Sequence, residues 1–259
     1  MMRRRRRAGE PFVCEQRGEI SLHFGMAALQ SRMRTAEPNR LVLDYTRALM
    51  SFVLLQPQPR HIVMIGLGGG SIAKYCRAHL PQSRFTAVEI NPDVIAMRGL
   101  FAVPPDDESF AVVEADGARW VHEHPQHCDV LLLDGFDSGG LPDALSTQDF
   151  YDACAGALRP GGVLVSNIWA PEARRDAVIA RMRASFESGV AAISAEQGEN
   201  TIALARRAAA WPQPSLLHRR ARELAAQHEL DLEGMARKLQ AALHGAPLEQ
   251  DAGAGAQAS

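Results

Sequence analysis

Ile62-Val63-Met64-Ile65 runs directly into Gly66-Leu67-Gly68-Gly69-Gly70-Ser71, and then into the helix-compatible stretch Ile72-Ala73-Lys74-Tyr75-Cys76-Arg77. An apolar run bounded by turn residues reads as a strand buried on both faces. Glycines lack a Cβ, so the backbone there can turn tightly, take positive φ and come close to a ligand. A helix start just beyond offers unpaired amide N–H groups. Strand, elbow and helix in that order point to an α/β arrangement with a nucleotide or nucleoside site at the elbow.

The alternation continues downstream. Strands are predicted at 61–65, 84–88, 110–113, 130–133 and 163–167, with helices at 71–79, 92–101, 117–124, 147–158 and 174–187. Two further strands, 191–195 and 200–205, read as an antiparallel pair, for a mainly parallel seven-stranded sheet covered on both faces. Upstream, 12–24 reads as a hairpin about Gln16-Arg17-Gly18, and 27–33 as another strand. A helical pattern opens at Pro38, passes through Leu41, Tyr45, Ala48, Leu49 and Phe52, and stops at Pro57 and Pro59. Residues 215–243 read as one amphipathic helix, which covers the sheet edge or makes a homodimer contact. The expected organisation is a disordered basic tail at 1–10, a small N-terminal β region at 11–36, an α/β domain at 37–210, a C-terminal helical extension at 211–245 and a disordered tail at 246–259.

Composition narrows the function classes. A net charge of −2 argues against a nucleic-acid binder. No apolar run approaches the roughly 18 residues of a membrane span. The run Arg3 to Arg7 is followed by Ala8-Gly9-Glu10-Pro11 rather than an apolar stretch, which reads as a solvated tail and not an export signal. Cys14, Cys76, Cys128 and Cys154 form no CxxC, which suggests reduced thiols in the cytoplasm. His122, His124 and His127 lack acids at ligand spacing and read as a polar helix end, so no metal is expected.

In open α/β sheets ligands sit at the carboxyl ends of the strands. Here successive strands end in the glycine elbow, in Glu89, in Glu114-Ala115-Asp116-Gly117 and in Asp134. Glu89 follows Gly66 by 23 residues, near the roughly 20 of an acid that takes ribose hydroxyls. Each acid alone could be a cap or a turn residue; their succession is the signal. A dinucleotide oxidoreductase would want a third glycine where Ser71 stands, and has no use for Asp116. An adenosyl-sulfonium ligand uses every part: Glu89 on the ribose, Asp116 on the adenine amino group, and the elbow under the aminoalkyl chain.

From about Gln30 to Trp169 the chain resembles the spermidine synthase (polyamine aminopropyltransferase) family, which shares the Rossmann-like fold of the class I methyltransferases. Asp129-Val130-Leu131-Leu132-Leu133-Asp134-Gly135-Phe136-Asp137 is similar to the family signature, a buried strand ending in Asp, two small polar residues and a second Asp. Leu145-Ser146-Thr147-Gln148-Asp149-Phe150-Tyr151 is similar to the segment after its gate loop, and Gln30-Ser31 to its N-terminal β region. The resemblance implies that Gln30, Gly66, Gly68, Gly70, Glu89, Asp116, Gly117 and Asp134 hold decarboxylated S-adenosylmethionine as a co-substrate, with no tightly bound cofactor. It implies Asp134 as the catalytic acceptor of the amine's proton and Asp137 on the loop that closes over the site. Tyr45, standing roughly where the family has Tyr-His-Glu, and Asp137 are candidate contacts to a polyamine such as putrescine, and Trp169, after the fifth strand, either lines the acceptor pocket or caps the core. Gly69 departs from the family, which carries an Asp there, and Gly135-Phe136 replaces its small polar pair. Three outcomes stay open: aminopropyl transfer, methyl transfer from ordinary S-adenosylmethionine, and nucleoside binding with little catalysis.

Overall fold

The computed structural model describes residues 10–24, 28–137, 139–169, 171–195 and 200–245. Both expected tails lie outside the described residues, apart from Glu10.

Strands β1 (Pro11–Gln16), β2 (Glu19–Phe24) and β3 (Ala28–Arg34) form a small antiparallel sheet in the order β1-β2-β3. Arg17 and Gly18 both take positive φ (52° and 78°), as a two-residue hairpin turn matched to strand twist requires. Leu22 and Met33 carry one face of this sheet into the main core.

The large sheet comprises β4 (His61–Ile65), β5 (Arg84–Glu89), β6 (Phe110–Glu114), β7 (Cys128–Leu133), β8 (Leu158–Ile168), β9 (Val190–Ser194) and β10 (Thr201–Arg206). Its order is β6-β5-β4-β7-β8-β10-β9. Strands β4 to β8 pair in parallel, and β10 lies antiparallel to both β8 and β9. The order reverses at β4, which pairs with β5 on one side and β7 on the other; a crevice opens at such a switch point. Ile62, Met64, Val130 and Leu132 point into one apolar layer, and Val63, Ile65, Leu131 and Leu133 into the other. That period-2 split explains why the runs are apolar throughout. Truncating a wholly buried side chain such as Leu132 to Ala should cost about 2–5 kcal/mol.

Crossover helices α2 (Ser71–His79), α3 (Pro92–Ala96), α4 (Gly117–Glu123), α5 (Gln148–Ala157) and α6 (Glu172–Ser185) connect the strands. The starts of α3, α4 and α5 are capped by side chains the sequence offers. The Asn91 side chain accepts from Asp93 N (2.9 Å), Asp116 from Ala118 N (2.8 Å), and Thr147 from Phe150 N (3.1 Å).

Four readings need correction in detail. The helix expected from Pro38 begins only at α1 (Asp44–Leu49) and tightens into a 3-10 turn at Met50–Leu54. Leu41 is buried from a non-helical segment, and the Arg47 guanidinium satisfies the Leu41 and Val42 carbonyls that a helix would otherwise have used. The predicted helix 92–101 is α3 followed by a 3-10 turn at Arg98–Phe101. The strand expected at 163–167 starts earlier: β8 takes in Pro160-Gly161-Gly162, where Gly161 (φ 82°) donates to Arg207 O and the pairing with β7 is irregular between Cys128 and Val130. The C-terminal segment is two helices, α7 (Pro214–Leu224) and α8 (Leu232–Leu243). The break places His228 in the core, hydrogen-bonded to Tyr75 Oη (3.1 Å), and Asp231 caps the second helix. Leu232, Met235, Ala236 and Leu239 of α8 pack into the chain's own core.

Candidate active site at the strand tips

The tips of β4, β5 and β7, the head of α4, and parts of the small sheet enclose a cavity of about 230 Å³. Gly66 turns the chain out of β4 with φ 95° while its N–H donates to Val88 O (2.8 Å). A Cβ on Gly66 would lie 2.4 Å from the Asp134 carbonyl oxygen, so only glycine lets the elbow lie flat against the β7 tip. A Cβ on Gly69 would lie 2.6 Å from Ser31 Oγ and 2.8 Å from Phe101 Cδ1. The space an acid would need at that position is therefore filled by a hydroxyl and a ring.

Glu89 is nearly buried at the β5 tip. Its Oε2 accepts from Leu67 N (2.9 Å) and its Oε1 from Asn91 N (2.9 Å). Burial pushes its carboxyl up, and these backbone donors pull back only in part. The carboxylate thereby braces the elbow, and the Ile90 and Gly68 amides also lie against it. Asp116 is exposed at the rim, with Oδ1 committed to capping α4.

Asp134 follows β7 and is half-buried on the cavity floor. Its N–H donates to Ile65 O (2.9 Å), which fixes its backbone beside the elbow. Its Oδ1 accepts from Asn167 Nδ2 at 2.8 Å. Burial pushes its carboxyl up to about 7, against the pull of the Asn167 amide. A carboxylate poised near neutrality suits proton transfer. Tyr45, from α1, hydrogen-bonds Gln30 O (3.2 Å) through its hydroxyl; burial, then the neighbouring Asp134 and Asp44, hold its phenol well above the usual range. Asp137 is exposed on the following loop, where its Oδ1 accepts from Gly139 N (2.6 Å).

Gln30, Tyr45, Gly66, Gly68, Glu89, Asp116, Gly117, Asp134 and Asp137 all line this cavity. Gly70 does not; it sits at the head of α2 against Val103. Trp169 is also absent from the lining and is 47% exposed past the end of β8. Sequence reading missed the apolar walls Phe24, Ile90, Val94 and Leu145, and it missed Asn167. Ile90 carried a signal, an apolar residue directly after a strand-tip acid, and so did Asn167, a polar residue closing an apolar strand. The lining holds four carboxylates, and among its described residues none is Lys, Arg or His.

Residues 43–190 match the spermine/spermidine synthase domain. A polyamine aminopropyltransferase of Chromobacterium violaceum is 40% identical over 221 residues, 85% of each chain. One from Neisseria meningitidis is 38% identical over 232 residues, 88% of each chain. Among solved structures, a probable spermidine synthase from Corynebacterium glutamicum superposes with a TM-score of 0.70 at 20% identity, covering 96% of this chain and 95% of that one.

Proposed function

The chain belongs to the spermine/spermidine synthase family and is a transferase, and we propose that it moves an aminopropyl group from decarboxylated S-adenosylmethionine to a polyamine such as putrescine. A neutral amine nitrogen attacks the carbon next to the sulfonium. The new C–N bond forms as the C–S bond breaks, methylthioadenosine leaves, and the amine's proton passes to Asp134. In this reading Glu89 takes the ribose hydroxyls, Asp116 the adenine amino group through its uncapped oxygen, and Gly66, Gly68 and Gly117 let backbone approach the nucleoside. Gln30 and Tyr45 close the side nearest the small sheet, and Asp137 meets the distal ammonium of the acceptor. Gly70 acts from behind, by opening α2. Trp169 stands outside the cavity wall and is left out of the proposal.

One observation carries the choice of donor: four carboxylates and no basic side chain among the described lining residues. A cationic sulfonium with a free ammonium suits such a wall, whereas the carboxylate of ordinary S-adenosylmethionine would meet only like charge. Methyl transfer from the ordinary donor is the competing reading, favoured by Gly69, which leaves no acid on the elbow for a primary ammonium. Calorimetry decides between them. The decarboxylated donor should bind at least about tenfold more tightly, a difference of about 1.4 kcal/mol. Tighter binding of the carboxylated form overturns the proposal, and methylthioadenosine binding without product from donor plus putrescine reduces the chain to a nucleoside binder. Cytoplasmic residence is part of the proposal, supported by the free thiols of Cys76, Cys128 and Cys154 buried in the core. Among the described residues no helix is long and apolar enough to cross a membrane.

A further inference from the structure

Behind Asp134 runs a line of two amides. Asn167 Nδ2 donates to Asp134 Oδ1 (2.8 Å), and Asn200 Nδ2 donates to Asn167 Oδ1 (2.9 Å). The topology sets these residues side by side. Asp134 follows the end of β7, Asn167 is near the end of β8, and Asn200 immediately precedes β10. Because β10 is antiparallel to β8, its beginning lies at the edge where the parallel strands finish.

The polarity of the line is forced from the carboxylate outward. An ionised carboxylate only accepts, so Asn167 must offer its NH2; its carbonyl oxygen then faces Asn200, which must also offer an NH2. Asn167 is 3% exposed and paired in register with Ile202, so its amide has little freedom to turn away. Among the described residues no protein donor is recorded on Asp134 Oδ2.

We propose that Asn167, held by Asn200, is a positioning residue that fixes the Asp134 carboxylate, keeps Oδ1 for the protein and leaves Oδ2 for the proton of the incoming amine. The catalytic meaning rests on the aminopropyl-transfer reading, but the geometry can be tested without turnover. Tyr45 from α1, Glu89 from the β5 tip, Asp116 at the head of α4 and Asp137 on the following loop are the other titratable groups facing the cavity. Among the described residues, only the Asn167 amide hydrogen-bonds the Asp134 carboxylate. Donation to the charged form favours it, so losing the donor should raise the proton affinity of Asp134.

The experiment is a carbon-detected NMR titration of the Asp134 carboxyl in the intact chain, wild type against Asn167→Ala and Asn200→Ala. Asn167→Ala should move the titration up by roughly one pH unit, and Asn200→Ala should move it the same way by less. With decarboxylated S-adenosylmethionine and putrescine, the acid limb of kcat/KM should shift equally. The activity lost near pH 7, about fivefold for a one-unit shift, should return at pH 9, while methylthioadenosine affinity stays unchanged. A purely structural amide pair would lose activity at every pH and leave the titration in place. An unmoved titration in Asn167→Ala overturns the proposal. If that variant does not fold, Asn200→Ala, which does not touch Asp134, carries the test, and an unmoved titration there overturns it. A wild type that makes no aminopropyl product sinks the functional reading alone, because the titration is read independently.

Discussion

Strand β7 carries an aspartate at each end, and the protein treats the two in opposite ways. At the amino end, Asp129 Oδ2 accepts from the backbone N–H groups of Arg60 (2.8 Å) and His61 (2.9 Å), while Oδ1 faces the guanidinium of Arg159 at 3.3 Å. Burial alone would push that carboxyl up, but the His61 and Arg60 amides and then Arg159 outweigh it and hold it below its usual range. Just past the carboxyl end, Asp134 has one side-chain donor among the described residues, Asn167, and is pushed up to about 7. One residue type is a rivet where its lone pairs are filled and, in the proposed reaction, a proton acceptor where Oδ2 has no protein donor among the described residues. The difference lies in the neighbours that each end of a parallel sheet supplies.

Substitution should separate the two roles. The largest effect is expected from Asp134→Asn: kcat falls about 10²- to 10⁴-fold, while the melting temperature holds or rises and methylthioadenosine affinity changes little. A melting temperature that drops instead would make Asp134 a second rivet and break the contrast. Next, Asp129→Ala strands the buried His61 N–H and the part-buried Arg60 N–H and should cost about 3 kcal/mol, a fall of roughly 5–10 °C by calorimetry. Its activity per folded molecule should match wild type; lost turnover at full occupancy of the folded state would show that the ends are coupled. Glu89→Gln combines both roles, since Glu89 braces the elbow and faces the ligand; it should weaken methylthioadenosine binding about tenfold, or about 1.4 kcal/mol, with kcat little changed.

The smallest effect is in the pH dependence of stability, where the two aspartates have opposite signs. Asp129 has a depressed folded value, so its contribution is present above the unfolded value of about 3.9 and is lost as pH falls through the folded one. Asp134 has a raised folded value; its contribution is complete below about 3.9 and is lost as pH rises through about 7. The gap in melting temperature between Asp134→Asn and wild type should therefore widen from pH 4 to 7 and then level off. A gap that stays constant across that range would mean Asp134 titrates as an ordinary surface acid.

Much of this was legible in the chain. Strand-tip acids could be read because each follows an apolar run, and the fold places run ends on one edge. The helix at Pro38 was misread because Leu41 is buried from a loop, and burial alone mimics helical spacing. The break between α7 and α8 carries neither Pro nor Gly; it is made by the tertiary bond of His228 to Tyr75, far away in sequence. Asn167 was hidden for the same reason, since its partners Asp134 and Asn200 are each 33 residues away and only the order of strands brings them together. The crowding of position 69 by Ser31 and Phe101 likewise depends on how two remote segments dock.

Gly66 leaves no more than an atom's thickness between the glycine elbow after β4 and the carbonyl of Asp134. In the proposed reaction, the recess for the leaving group and the acid beneath the attacking nitrogen would thus share a party wall. A methyl group added there would press on both rooms at once, so the distance between the two partners in the reaction is built into the masonry.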